Sequence, residues 1–156
     1  MAEETQLVVF KLKTGDVVCE YGVPITKVQE IIPMATPTRL PQVPDFVEGI
    51  INLRGKIIPI IDLKKRFAMS ASEVTSESRS VVVEVDGQTV GIIVDEVSEV
   101  LRLSNDSIEP PPAVIGGITA EYLTGVGKLD DRLLILLDMD KVFNDSEKAE
   151  LLKVGA

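Results

Sequence analysis

The chain contains no histidine among its 156 residues. That removes the commonest general base and the commonest transition-metal ligand together. It also removes every Ser-His or Cys-His nucleophile pair. A single cysteine, Cys19, leaves no intramolecular disulfide and fits a reducing compartment. Basic charge is not in excess: 16 Lys and Arg stand against 25 Asp and Glu, a net charge of −9. Nucleic acid is therefore excluded as the main partner, because a phosphate backbone needs a basic face. Long apolar runs are lacking too. Leu133 to Leu137 falls far short of the roughly 20 residues that span a bilayer, so no direct membrane insertion is expected. The start, MAEETQLVVFKLK, has no basic segment followed by a long apolar core, and no signal peptide is expected. G-x-S-x-G, G-x-G-x-x-G and G-x-x-x-x-G-K-[ST] are all missing, and the clusters Gly116-Gly117 and Gly125-Val126-Gly127 read as turns. Carboxylate chemistry passes this filter, with no pattern to support it. No catalytic residue, metal or cofactor is assigned.

What the sequence does have is aliphatic: 45% of residues are hydrophobic, with no Trp, four Phe and two Tyr. Its richness in Val and Ile predicts mostly β structure. A body of this length buries about 68–70% of its unfolded surface and needs no staples.

The chain also contains itself twice. GIINLRGKIIPIIDLKKRF (49–67) lies over GVGKLDDRLLILLDMDKVF (125–143) without a gap, at an offset of 76. Gly49 meets Gly125, Asp62 meets Asp138, Lys65 meets Lys141 and Phe67 meets Phe143. GVPITKVQEI (22–31) lies over GIIVDEVSEV (91–100) at an offset of 69, and LVVFKL precedes the first pair as SVVVEV precedes the second. The second unit thus carries roughly seven extra residues, which the Pro-Gly-rich loop 109–120 can hold. Each half reads as about five strands, a pattern suited to a small barrel. The expected divisions are a first barrel over 1–67, a Ser-rich link over 68–80, a second barrel over 81–143 and a helix over 144–156. Terminal strands between the halves are open to exchange. Asn144-Asp145 is expected to cap that helix, whose Ala149 and Leu152 form a narrow apolar stripe against the body. Four prolines between Pro33 and Pro44 exclude helix interiors and central strands there, and Asp45 is expected to cap one turn of helix through Glu48.

One turn stands out. The repeat requires it at 53–56, where the first copy has Leu-Arg-Gly-Lys and the second Leu-Asp-Asp-Arg. The fold tolerates either charge, so Arg54 is either a solvated tip or a displayed guanidinium gripping a carboxylate. Glu30 lies among the aliphatics Ile25, Val28 and Ile31, and a Glu in such company is seldom buried unless paired. Arg54 is its expected partner. Val94, Val97 and Val100 repeat the spacing in the second half, and most of these residues read as core.

FVEGIINLRGKIIPIIDLKKRF resembles the hallmark segment of CheW-type chemotaxis coupling proteins. VVFKL, YGVPITKVQEII, VGIIVDEVSEVLRL and GVGKLDDRLLILLDMDKVF resemble that family's other blocks, in its order, over roughly residues 5 to 145. One departure is KTGDVVCE, a first hairpin longer than expected, which contains Cys19. The resemblance implies two intertwined five-stranded SH3-like barrels with a short C-terminal helix and no catalysis. It implies a cytoplasmic adaptor, monomeric when isolated. Its partners would be the regulatory domain of a histidine kinase, itself a two-barrel fold, and the helical cytoplasmic tip of a chemoreceptor, joined in membrane-attached arrays. The partner-binding candidates are Glu30, Arg54, Val28, Ile31, Gly49, Asn52, Leu53, Gly55, Val97 and Val100. Two other classes stay open: a small-molecule barrel, which needs a cavity, and an enzyme using carboxylates or Lys. Against the enzyme, Asp62 and Asp138 occupy matching positions, which suggests a turn role repeated by the fold.

Overall fold

The computed structural model describes residues 3–14, 17–34, 36–67, 75–111, 114–115, 118–143 and 145–154. Its strands are β1 (Glu4–Thr14), β2 (Val17–Pro24), β3 (Val28–Pro33), β4 (Val47–Leu53), β5 (Lys56–Asp62), β6 (Arg79–Val85), β7 (Gln88–Val94), β8 (Glu96–Ser104), β9 (Ile108–Glu109), β10 (Val114–Ile115), β11 (Ile118–Thr119), β12 (Leu123–Leu129) and β13 (Arg132–Leu137). Helix α1 (Leu63–Arg66) follows β5, and α2 (Asp145–Val154) ends the described chain.

Two sheets carry the fold, in the orders β8-β1-β2-β13-β12-β9 and β3-β6-β7-β5-β4. Both draw on both halves of the sequence. The leading hairpin of each half sits in the other half's sheet: β1–β2 joins β13 in parallel, and β6–β7 joins β5 in parallel. The sheets therefore cut across the units 1–67 and 81–143.

Side-chain direction explains the aliphatic runs. In β6, Val82 enters a cluster with Ile58, Ile60 and Ile93, while Val81, Val83 and Val85 point the other way into a larger cluster shared by both barrels. In β13, Leu134 and Leu136 join Leu7, Val9 and Leu103, while Ile135 and Leu137 join the shared cluster. A strand with a barrel interior on one face and the neighbouring barrel on the other is apolar throughout. Each such side chain stabilises by about 1.5–3 kcal/mol on burial.

The centre of the shared cluster is aromatic. Phe46 lies on Phe143 (centroids 5.6 Å apart) and Phe67 on Tyr122 (6.2 Å), two contacts exchanged by the 76-residue offset. The Arg66 guanidinium lies 5.0–5.9 Å from the rings of Tyr122, Phe46 and Phe143. It donates to the Tyr122 hydroxyl (3.0 Å) and to Glu147 of α2 (3.1 Å).

Several local expectations change. Residues 45–46 form a turn, with Val47 N–H donating to Pro44 O (2.9 Å), and no helix follows Asp45 because β4 begins at Val47. Of the expected apolar stripe, Ala149 is exposed, and the Leu152 side chain lies outside those described. Helix α2 makes polar contacts through Glu147, with Arg66, and through Lys148, 3.7 Å from Asp86. The expected cap Asn144, part of the Ser-rich link (68–74) and parts of the loop 109–120 lie outside the described residues. Asp62 caps α1, accepting from Lys64 and Lys65 N–H, and Asp138 accepts from Asp140 N–H (3.1 Å), a repeated turn role. Towards its turn, the first hairpin runs two rungs further than the second. Gly22 pairs with Val9 and its counterpart Gly91 with Val82, and β1–β2 then continues to Lys13–Val18 and Thr14–Val17. Val17 and Val18 are exposed on this extension.

Candidate functional site: a guanidinium turn across the seam of one barrel

Between β4 and β5, Arg54 (φ 52°) and Gly55 (φ 84°) are both left-handed, as a two-residue hairpin turn demands. Asn52 Oδ1 accepts from Gly55 N–H (2.8 Å) and braces the turn. This backbone favours Asn, Asp or Gly at the first turn position and is costly for a long side chain. The turns after β6 and β12 obey that preference with Asp86 (φ 49°) and Asp130 (φ 52°). The backbone does not select Arg54, so its side chain must explain it.

That side chain reaches across the sheet order. Arg54 Nη1 donates to Glu30 Oε2 and Nη2 donates to Oε1 (2.7 Å), a two-pronged pair. Glu30 lies on β3 and Arg54 on the β4–β5 turn, at opposite ends of the five-stranded order. The pair therefore spans the seam of the barrel, above Ile32, Ile51 and Leu53, which pack on its inner cluster. The hydrogen bond from Arg54 holds the Glu30 carboxyl below its ordinary range, and the same bond holds the guanidinium above its own. The Arg54 side chain remains 73% exposed. Nη1 and Nη2 each commit a donor to Glu30, and the rest of the planar fork is open to a partner.

Not all expected residues gather here. Glu30, Asn52, Leu53, Arg54 and Gly55 do. Ile31 flanks them on β3, exposed. Val28 and Val97 are half-buried against the inter-barrel cluster, one on β3 and one on β8. Val100 is exposed on β8 in the other sheet. Gly49 is a correction. It is buried, with φ 147°, and a Cβ there would lie 2.2 Å from the Thr38 carbonyl oxygen. The Thr38 backbone crosses it to pair with Ile50, so the glycine serves the fold and offers no free surface.

The six-stranded barrel has a counterpart that sequence reading missed. Arg132 Nη1 donates to Glu99 Oε1 (3.2 Å), while its Nε and Nη2 grip Glu20 (3.1 and 2.6 Å). The signal was present: an offset of 69 puts Glu99 over Glu30, and 76 puts Arg132 over Lys56. Among the described residues no group of three or more His, Cys, Asp or Glu could hold a metal ion, and no helix is long and apolar enough to cross a membrane.

A family model for the CheW-like domain matches residues 6–147. The chain is similar to the chemotaxis protein CheW of Klebsiella aerogenes, 43% identical over 83% of this chain and 78% of that one. It is also similar to CheW of Treponema pallidum, 40% identical over 96% and 88%. Among solved structures it is similar to the scaffolding protein TtCheW of Thermoanaerobacter tengcongensis, with a TM-score of 0.82 and 39% identity over 94% of this chain and 92% of that one. With the repeated blocks, the two SH3-like barrels and matches that span nearly the whole chain, the protein belongs to the CheW family.

Proposed function

We propose that this chain is a non-catalytic chemotaxis adaptor that couples the cytoplasmic helical tip of a chemoreceptor to the regulatory domain of a histidine kinase. Family membership supports the adaptor class, and the name of the similar solved protein, a scaffold, agrees with it. The observation that carries the proposal in this molecule is Arg54. It occupies a left-handed turn position that the barrel fills with Asp elsewhere, and its exposed fork is aimed by Glu30. Glu30, Arg54, Asn52, Leu53 and Gly55 form the contact edge, with Ile31, Val28, Val97 and Val100 along the grooves beside it. The adaptor works in the cytoplasm, is a monomer when isolated and is recruited to membrane-attached arrays by its partners. It turns over no substrate and changes the rate of the kinase it joins.

The test is co-purification with a kinase regulatory domain, with and without a receptor fragment, for the parent, Arg54→Ala, Arg54→Lys and Glu30→Ala. Loss of a charge-assisted contact predicts a fall in affinity of roughly ten- to a hundredfold for Arg54→Ala. Arg54→Lys restores it incompletely, because an ammonium lacks the planar fork. Normal binding by Arg54→Ala to both partners would reduce the arginine to a solvated turn residue. ATP hydrolysis by the purified chain alone would count against the adaptor reading.

A further inference from the structure

The chain passes between its barrels at two short crossovers: Pro24 to Val28, joining β2 to β3, and Val94 to Glu96, joining β7 to β8. An ion pair sits at each. At the second, Asp95 N–H donates to Lys11 O (3.1 Å), and Lys13 N–H donates to Asp95 Oδ2 (2.6 Å). Lys64 Nζ donates to the same Oδ2 at 3.1 Å and also to the Lys13 carbonyl. Lys64 belongs to α1 beyond the five-stranded barrel, Lys13 to β1 of the six-stranded one, and Asp95 to the crossover itself. The side chains of Lys64 and Asp95 are only 5% and 9% exposed.

The first crossover carries a related ion pair, made by Lys27, one residue past Thr26, the counterpart of Asp95 at the 69-residue offset. Lys27 Nζ donates to Asp140 Oδ2 (3.0 Å), and Asp140 Oδ1 accepts from Asp86 N–H (2.9 Å). Asp140 follows β13 of the six-stranded barrel, and Asp86 lies in the β6–β7 turn of the five-stranded one. The 76-residue offset puts Asp140 in the place of Lys64. The hairpin register, with Val82 over Val9, puts Asp86 in the place of Lys13. Here the side chains are 35% and 39% exposed.

The two pairs respond differently to any movement of one barrel against the other. Separating Lys64 from Asp95 leaves a charge unpaired away from water, which is strongly resisted. Separating Lys27 from Asp140 returns two accessible groups to solvent at little cost. We infer that Lys64 and Asp95 are positioning residues that fix the angle between the barrels, with the Lys27–Asp140 side free to yield. This angle sets the geometry in which two partners are held at once, a role that rests on the adaptor reading above.

The experiment places nitroxide labels at Ile57→Cys and Arg102→Cys, one exposed strand site in each barrel, in a Cys19→Ser background. Pulsed dipolar spectroscopy then reads the inter-barrel distance. The parent and Lys27→Met are expected to give one narrow distribution, and Lys64→Met a broadened or shifted one. Asp95→Asn keeps an acceptor for Lys13 N–H while removing the charge. It is expected to match Lys64→Met in a chain that still unfolds cooperatively. In a second arm, binding of the kinase regulatory domain alone and the receptor fragment alone stays within about twofold, while the three-part assembly weakens roughly tenfold. An unchanged distance in both Lys64→Met and Asp95→Asn overturns the inference. A changed distance with an unaffected three-part assembly overturns the positioning role and leaves the adaptor reading standing. If the parent itself binds neither partner, the adaptor reading fails, and the distances alone decide whether the buried pair sets the angle.

Discussion

The two barrels solve the same problem with different residues. In the five-stranded barrel the carboxylate of β3, Glu30, is gripped from the first position of the facing turn by Arg54. In the six-stranded barrel its counterpart Glu99 is reached from the strand side of the turn, by Arg132, which commits itself chiefly to Glu20. Arg132 is well tied down by two acids, which hold its guanidinium above its ordinary range. Arg54 has one acid and stays largely exposed. A duplicated fold thus keeps a carboxylate-guanidinium link in each copy while freeing only one guanidinium for outside use. Structural duty and display are separated by moving the arginine two places along the hairpin.

The glycines under the crossing loops offer the sharpest break in that likeness. Gly49 and Gly125 are counterparts, and each lies beneath a neighbouring backbone, Thr38 and Glu109 respectively. Only Gly49 has a positive φ, so Gly49→Ala adds backbone strain to collision, about 3–5 kcal/mol together. Gly125→Ala, meeting Glu109 O at 2.7 Å with ordinary φ, should cost about 1–3 kcal/mol. Denaturant unfolding of both variants measures the difference, and equal losses would show that the strained φ contributes nothing.

The crossover pairs come next. Lys64→Met leaves Asp95 buried without its cation and should destabilise by roughly 3 kcal/mol. Lys27→Met should leave the thermal midpoint nearly unmoved, since its partner Asp140 reaches water. A large loss from Lys27→Met would erase the contrast between the crossovers.

Acidification separates the two post-strand aspartates. Burial raises the Asp62 carboxyl above its ordinary range, despite the lowering effect of the Lys65 and Lys64 amides. The folded state therefore takes up this proton before the unfolded one, and Asp62 contributes more stability as pH falls through its folded pKa. The Asp86 amide, together with Lys27, lowers Asp140. That contribution is present above the unfolded pKa near 3.8 and is lost as pH falls through the lowered folded value. Stability-pH curves for Asp62→Asn and Asp140→Asn should deviate from the parent in opposite directions below about pH 5.

A small change is also expected for Arg54→Asn. It removes the pair with Glu30 but installs a residue that tolerates the left-handed turn, so the midpoint should move by no more than about 2–3 °C. Circular dichroism melting reads this directly, and a larger fall would mean the seam depends on the arginine.

Much of this was legible in residues alone. The repeat, the turn at 53–56 and the meeting of Glu30 with Arg54 all follow from spacing and from the rarity of an unpaired Glu among aliphatics. An exchange of terminal strands was open, but not that of whole leading hairpins, because a period-two pattern tells which residues face inward and not which sheet a strand joins. Gly49 looked like part of a displayed motif because the crossing of Thr38 is a long-range event with no local signature. Lys64, within DLKKRF, carries no local signal that it is buried. Only the crossover brings Asp95 to it. Ala149 of the expected α2 stripe is exposed, while Glu147 and Lys148 beside it make ion pairs that a hydrophobic spacing does not reveal.

The hairpin exchange has a consequence for the order of synthesis. A chain that has emerged only as far as Phe67 holds β1 and β2 without β13, and β3 to β5 without β6 and β7. Neither half-built sheet can close, and β2 must wait more than a hundred residues for the strand that flanks it. Such pairings place closure late and make it slow. The nascent first half thus presents open strand edges rich in valine and isoleucine until the last strand arrives, an interval in which a chaperone or a neighbouring nascent copy has its opening.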